Sequence, residues 1–167
     1  MQKLLPFLIL LFTLLLSVPS YAAAPSIHLD KGVNPWEYAM CRELNKENFS
    51  SDDIRLIQAI VMAEAEGECY EGKLAVAQIV LYRAEKKNVP ISDVVYAPGQ
   101  FSVIGTRRMH IQPDEDCILA VDEALFGSYV LDSEMEYFCS GYSSWHENAL
   151  INVGSIGGHK FYKVKTK

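Results

Sequence analysis

The amino-acid sequence predicts an α+β domain with a mostly helical core and a small β element. Three segments with apolar residues at helical spacing come first, between residues 50 and 127. Segments typical of strands follow only afterwards, at residues 135–139 and 161–165. Helices that precede a few strands, instead of alternating with them, indicate the α+β class.

The first predicted helix begins at Ser50–Ser51 and extends to about Ala65. Either serine can cap it, and the acidic pair Asp52–Asp53 suits the positive end of the helix dipole. Gly67 ends the helix. Its apolar stripe, at spacings of three and four, consists of Ile54, Ile57, Ile60 and Val61.

The second predicted helix begins near Tyr70 and ends at residues 86–88, before Pro90. It is apolar on nearly every side between Leu74 and Leu81, which is typical of a helix buried at the centre of a domain. The third begins at Pro113, has an acidic first turn and ends at Gly127. Its apolar stripe consists of Ile118, Val121 and Leu125.

The strand prediction depends on alternating side chains after the third helix. Met135, Tyr137 and Cys139 alternate with Glu136 and Phe138, which predicts one strand. The segment 161–165 predicts a second.

The N-terminal segment has the order of a secretory signal peptide: a basic start at Lys3, an apolar run over Leu4–Val18, then small residues. Cleavage is expected after Ala22, or else after Ala24. The alternative is an uncleaved membrane anchor, although the run is short for a bilayer span of about 20 residues. We predict a signal peptide over residues 1–22, an arm over 23–49 that includes a short helix at 36–44, and one domain over 50–167. The protein is then secreted, periplasmic or in the cell wall, with no stable membrane span, and is expected to be a monomer.

Charge and cysteine content restrict the function classes. The mature chain would carry a formal charge of about −7, which is unfavourable for binding nucleic acid, although a local basic groove stays compatible with the count. Cys41, Cys69, Cys117 and Cys139 would meet an oxidising compartment, so two disulfides, one or none are all open. Because C-x2-C and H-x3-H pairs are absent from the sequence, we expect no metal and no cofactor.

Glu64 is the strongest candidate for chemistry. It lies seven residues after Ile57, and about 100° per residue returns it to almost the same side of the helix. The stripe around it is apolar, so burial should raise its pKa and keep it protonated, as a general acid requires. The alternative is a structural carboxylate that neutralises Arg83 or accepts bonds from the Gly67 turn. Glu66, about 200° further round, should face solvent.

Other polar and aromatic residues allow two interpretations each. Glu68 is either a second active-site carboxylate or a loop brace. Gln100 could hydrogen-bond a sugar, and Phe101 could stack on one or be the buried residue of a turn. Cys69 could be a nucleophile, but an exported cysteine is more often part of a disulfide. His146 lacks the second histidine of a zinc-protease helix.

Three ordered blocks resemble the SleB/CwlJ family of cell-wall hydrolases. Glu64–Arg83 is similar to the opening block, roughly E-A-R-G-E-P-Y-E-G-x-x-A-V-A-x-V-I-x-N-R. Gly99–Ser102 matches G-Q-F-S, and Ile156–Tyr162, preceded by Tyr137 and Trp145, is similar to the closing block I-G-x-H-x-F-Y. Three positions depart from the pattern: Glu66 replaces Arg, Cys69 replaces Pro and Tyr82 replaces Asn.

The resemblance implies a lysozyme-like α+β fold and a lytic transglycosylase that cleaves the β-1,4 bond between N-acetylmuramic acid and N-acetylglucosamine in peptidoglycan. The essential glutamate of the family falls on Glu64, so residues 50–167 become a catalytic domain. The alternative is a non-catalytic peptidoglycan-binding or inhibitor domain on the same scaffold. Around the acid we assign substrate binding to Glu68, Gln100, Phe101, Tyr137, His159 and Tyr162.

Overall fold

Five α-helices, one 3₁₀ helix and three strands form the part of the chain that the computed structural model describes, residues 48–126 and 129–165. The predicted signal peptide, nearly all of the predicted arm with its expected short helix, and Cys41 lie outside the described residues. Within those residues, no helix is both long and apolar enough to cross a membrane. In chain order the elements are α1 Ser51–Ala65, α2 Tyr70–Lys87, α3 Ile91–Val95, the 3₁₀ helix Arg107–His110, α4 Glu115–Phe126, β1 Met135–Ser140, α5 Ser144–Ala149, β2 Leu150–Ile156 and β3 His159–Val164.

Helix α1 begins and ends where the sequence predicts. The backbone N–H of Asp53 donates to the Ser50 hydroxyl at 3.1 Å, and the Ser50 N–H donates to the Asp53 carboxylate at 3.2 Å. This reciprocal pair is a capping box, and it satisfies two backbone donors that the first turn of a helix cannot bond internally. The helix ends at Ala65, and Glu66 faces solvent.

Helix α2 is the central element, as its apolar sequence predicts. One side packs with α1, α3 and α4 in the main hydrophobic core, and the other packs against the sheet in a smaller cluster. Burial on both sides explains why apolar residues surround this helix. The smaller cluster contains Ala75, Ile79, Tyr82, Leu131 and Phe161.

The buried polar residues of α2 have partners on the segments packed around it. The Gln78 side-chain oxygen accepts bonds from the N–H groups of Val130 and Leu131, each at 3.2 Å. The Lys73 ammonium, which is only 4% exposed, donates to the Asp114 carboxylate at 2.9 Å. Because buried polar groups are stable only when they are hydrogen-bonded, these pairs fix α2 against α4 and the chain that follows it.

The start of α4 lies two residues later than predicted. The helix begins at Glu115, and the backbone N–H of Cys117 donates to the Asp114 carboxylate at 2.7 Å. Asp114 therefore caps the helix, and Pro113 precedes the cap instead of opening the first turn.

The three strands form one antiparallel sheet in the order β1-β3-β2. Both predicted strands are confirmed, but the predicted alternation in β1 is not. A register shift between Met135 and Tyr137 interrupts the pairing, and Glu136 becomes the most buried residue of the strand at 7% exposure. Its carboxylate pairs with Lys86 at 2.5 Å.

The sequence interpretation missed the short elements and β2. Helices α3 and α5 and the 3₁₀ helix each have six residues or fewer, which is too short for a visible apolar period. Strand β2 is an edge strand with five consecutive exposed residues, so hydrophobic alternation could not reveal it.

The three described cysteines are free thiols. Cys69 is exposed, Cys139 is half-buried and Cys117 is buried, with its sulfur 3.7 Å from that of Met62. Burial raises the pKa of Cys117 to about 12, so this thiol stays protonated and contributes to the core between α1 and α4.

Candidate active site

The Glu64 side chain lies at the C-terminal end of α1, beside the loop that follows α3. The stripe residues Ile57, Ile60 and Val61 have no exposed surface, whereas Glu64 is half-buried. The helix therefore carries the carboxyl group to the edge of the core and leaves part of it accessible. An acid that transfers a proton to a ligand needs this combination of partial desolvation and access.

Two alternating side chains anchor the loop over Glu64. Phe101 and Val103 are only 5% and 3% exposed, while Ser102 between them faces solvent. The Thr106 hydroxyl and the Thr106 N–H both bond the Val103 carbonyl, at 2.7 and 3.0 Å. These anchors hold the backbone N–H of Val103 where it hydrogen-bonds the Glu64 carboxyl group.

Three influences set the acidity of Glu64. Burial raises its pKa, and this influence outweighs the positive charge of Arg108 and the Val103 hydrogen bond, which both lower it. The net result is a carboxyl group that keeps its proton at a higher pH than an exposed glutamate. Arg108 lies on the 3₁₀ helix, which packs against α1, and it is the nearby cation that the sequence interpretation missed. The Arg107–Arg108 pair in an acidic chain was the available signal.

Arg83 does not neutralise Glu64. Its Nε donates to the Glu136 carbonyl at 2.6 Å, and its guanidinium carbon lies 5.2 Å from the ring centre of Phe101 and 5.5 Å from that of Tyr137. The side chain is 4% exposed, and its Nη1 has no partner among the described residues. Arg83 thus joins the Phe101 loop to β1 through cation–π contacts.

Glu68 is bonded to the turn between β2 and β3. Its carboxylate accepts the N–H of Gly158 at 2.6 Å and lies 4.0 Å from Nδ1 of His159. A side chain at Gly158 would come within 2.7 Å of this carboxylate, and one at Gly157 would collide with it. Glu68 therefore has the geometry of the loop brace, which was one of its two interpretations.

An aromatic cluster joins β1 to helix α5. The rings of Tyr137 and Trp145 meet edge to face with centres 5.7 Å apart, and Trp145 contacts His146 at 5.0 Å. The His146 ring is fixed by a 2.7 Å hydrogen bond between its Nδ1 and the Ser143 hydroxyl. Arg83 and Phe101 link this cluster to the loop over Glu64.

Apart from Glu68, the predicted substrate-binding residues differ in how much of their surface is exposed. Gln100 and Tyr137 are half-buried and keep surface that a ligand could contact. Phe101, His159 and Tyr162 are 5%, 2% and 0% exposed, so these three side chains offer almost no surface to a sugar. Phe101 packs in the main core under the loop, whereas the other two are buried in β3.

The two buried residues of β3 have protein partners. The Tyr162 hydroxyl donates to Glu147 at 3.0 Å, which helps to lower the pKa of that carboxyl group. Burial lowers the pKa of His159, an effect that the nearby Glu68 carboxylate only partly offsets. A buried imidazole with a lowered pKa stays neutral at neutral pH.

Within the described residues, the remaining candidates lack the partners that their chemistry would need. The Cys69 thiol makes no hydrogen bond to a histidine within residues 48–126 and 129–165. Over the same ranges, no group of three or more His, Cys, Asp or Glu residues could hold a metal ion. A groove of about 600 Å³ between α2, α3 and α4 contains neither Glu64 nor any other predicted site residue.

The described residues form a mostly helical α+β domain that presents a half-buried carboxyl group with a raised pKa at a helix end. The chain belongs to the cell wall hydrolase family, whose sequence profile matches residues 67–162. The match begins three residues after Glu64 and includes Glu68, the G-Q-F-S block and the closing block.

Curated relatives are spore cortex-lytic enzymes. That of Bacillus subtilis (strain 168) is 34% identical over 92 residues, which cover 54% of this chain and 30% of the relative. That of Oceanobacillus iheyensis is 31% identical over 121 residues, which cover 70% of this chain and 44% of the relative. The chain thus spans less than half the length of these relatives.

Two solved structures share the fold. The catalytic domain of SleB from Bacillus cereus superposes with a TM-score of 0.61 at 28% identity, covering 69% of this chain and 92% of that domain. The catalytic domain of the germination-specific lytic transglycosylase SleB from Bacillus anthracis gives the same TM-score and identity, with 97% of that domain covered. The predicted α+β class, with a mostly helical core and a small β element, is therefore confirmed.

Proposed function

We propose that this chain is an exported peptidoglycan-degrading enzyme, and that it acts as a lytic transglycosylase with Glu64 as its acid and base. The observation that carries the proposal is the half-buried Glu64 carboxyl group, whose pKa is raised and which the buried Phe101–Val103 loop holds by a backbone hydrogen bond. Membership of the cell wall hydrolase family supports the substrate class.

In the first step, protonated Glu64 gives its proton to the oxygen of the β-1,4 bond between N-acetylmuramic acid and N-acetylglucosamine. The bond from the muramic acid C1 to this oxygen breaks, N-acetylglucosamine leaves with a free 4-hydroxyl, and positive charge develops on the muramic acid ring. The carboxylate that remains on Glu64 is stabilised by the Val103 N–H and by the charge of Arg108.

In the second step, the 6-hydroxyl of the same muramic acid attacks C1, and its proton returns to Glu64. The product is a 1,6-anhydro sugar, and the enzyme regains its starting proton. One carboxyl group performs both proton transfers, so the reaction needs no second carboxylate. The bond between Glu68 and the Gly158 N–H favours this route, because that carboxylate already has a structural partner.

The products of digestion test this route. Purified sacculi incubated with the protein are expected to release muropeptides that carry 1,6-anhydromuramic acid, whose mass is one water lower than that of the hydrolysed product. Mass spectrometry of the soluble fragments distinguishes the two. Fragments with a reducing-end muramic acid would instead assign hydrolysis and return Glu68 to consideration as a second catalytic carboxylate.

The pH dependence tests the proton donor. Because cleavage requires protonated Glu64, the rate is expected to fall as the pH rises through the raised pKa of Glu64, which lies above the ordinary value for glutamate. Arg108→Gln removes the charge that lowers this pKa, so the alkaline limb of the rate profile should move to higher pH. Arg107→Gln, a neighbouring exposed cation, is the matched control and should leave the limb in place. If the alkaline limb lies at the same pH in Arg108→Gln as in the wild type, Glu64 is not the titrating acid.

A further inference from the structure

Trp145 is a large aromatic side chain that the fold holds in place but leaves uncovered. It is 55% exposed, on helix α5 between β1 and β2. Its ring makes edge-to-face contacts with Tyr137 and His146. The Ser143 hydroxyl bonds the His146 ring and caps α5, so the support of the indole is itself fixed.

Trp145 keeps more than half of its surface accessible despite these two contacts. Edge-to-face pairs are a favourable aromatic geometry, so they hold the ring while this surface stays open to a ligand. Exposed apolar side chains are common and need no explanation when they are scattered. An indole restrained by neighbouring rings differs, because its ordering entropy is already lost before a ligand arrives.

Trp145 is connected to the proposed catalytic residue through a series of side-chain contacts. Tyr137, which contacts Trp145, also contacts the Arg83 guanidinium, and Arg83 contacts Phe101 as well. Phe101 is two residues from Val103, whose N–H bonds Glu64. Contacts between side chains therefore join Trp145 to the segment that holds the acid.

We propose that Trp145, with Tyr137 beside it, forms a sugar-binding subsite that takes one pyranose ring of the glycan strand. The C–H groups on one face of a pyranose form an apolar surface, which can stack on an indole while the hydroxyl and acetamido groups stay hydrated. This inference rests on the proposed action on peptidoglycan.

Tryptophan fluorescence tests the subsite directly. Trp36 and Trp145 are the two tryptophans of the chain, so Trp36→Phe leaves Trp145 as the single reporter. The full chain with Trp36→Phe and Glu64→Gln, which keeps the substrate intact, is titrated with an N-acetylglucosamine tetramer. Stacking predicts a saturable shift of the emission to shorter wavelength. An emission spectrum that stays unchanged at tetramer concentrations that saturate binding to the protein would overturn the proposal.

A binding series supplies the second measurement. In the Glu64→Gln background, Trp145→Ala is expected to weaken binding to purified sacculi roughly tenfold, as loss of an aromatic anchor does, and Trp145→Phe should recover part of the loss. Tyr129→Ala is the matched control, because Tyr129 is 60% exposed and lines the separate groove. Equal binding by the Trp145 and Tyr129 variants would overturn the subsite.

The two proposals fail separately. Full sacculus digestion by Glu64→Gln would remove the proposed catalytic role and leave the Trp145 binding result intact. Normal binding and digestion by Trp145→Ala would remove the subsite and leave the catalytic role intact. If Trp145→Ala does not fold, the fluorescence titration decides alone, since it leaves Trp145 unchanged.

Discussion

Replacing Glu64 by glutamine is expected to lower the rate of peptidoglycan cleavage by roughly 10²- to 10⁴-fold, the usual contribution of a positioned general acid. Glutamine keeps the size and the hydrogen-bonding oxygen of the side chain but has no acidic proton to give. The measurement is release of soluble fragments from purified sacculi under conditions where both proteins are folded. The loss should appear in the turnover rate more than in binding, because the proton moves only in the transition state.

Glu66 provides the matched control. It lies two residues further along, at the end of the same helix, but its side chain faces solvent. Glu66→Gln makes the same chemical change and should retain activity close to the wild type. Comparable losses in both variants would point to the local negative charge as the cause, and an active Glu64→Gln protein would exclude Glu64 as the acid.

The Glu64→Gln variant should not lose stability relative to the wild type. Because burial raises the pKa of Glu64, the folded protein binds this proton more tightly than the unfolded chain does. The stability that this tighter binding contributes is complete below the unfolded pKa and is lost as the pH rises through the folded pKa. At neutral pH the Glu64→Gln protein should therefore unfold at the same temperature as the wild type or at a higher one. A catalytic residue with this property is retained at a cost to stability.

Helical spacing predicts the location of Glu64 because α1 is long and its stripe is regular. Helical spacing could not predict the hydrogen bond from Val103 or the charge of Arg108, because the loop and the 3₁₀ helix that carry them lie about 40 residues further along the chain. The folding of the loop against α1 is a tertiary event, and helical periodicity carries no information about it.

The sequence blocks identify residues that matter without saying what they contact. Phe101, His159 and Tyr162 belong to blocks that resemble the family, yet all three side chains are buried. A side chain that supports a site and one that touches a ligand look the same in a motif. Burial separates the two, and it depends on packing between distant segments.

Replacing Gly157 by alanine is expected to destabilise the domain by about 3 kcal/mol, by two effects. Its φ angle of +57° lies in the left-handed region, where a residue with a Cβ costs about 1–2 kcal/mol. The new methyl group would also collide with the Glu68 carboxylate. Displacing that carboxylate breaks its bond with the Gly158 N–H, and hydrogen bonds to charged groups contribute about 1.5–3 kcal/mol. Denaturant unfolding measures the sum.

Two further variants separate these effects. Gly141 has a similar φ angle of +78° with nothing within 4 Å of an added Cβ, so Gly141→Ala should show the backbone cost alone. Removing the carboxylate with Glu68→Ala should then reduce the cost of Gly157→Ala to about that of Gly141→Ala, a coupling that a double-mutant cycle measures. Equal costs for Gly157→Ala with and without Glu68 would show that the carboxylate does not occupy this turn.

The Gly157→Ala variant also tests the reaction, because it displaces the Glu68 carboxylate without changing its chemistry. If Glu68 is only a brace, Gly157→Ala should lower stability while the folded protein cleaves sacculi at nearly the wild-type rate well below its melting temperature. If Glu68 were a second catalytic carboxylate, displacing it would lower the rate at every temperature, and hydrolysis would account better for the products. The glycine variant thus separates the two roles of Glu68, which Glu68→Ala alone cannot do because that change removes the bond and the carboxylate together.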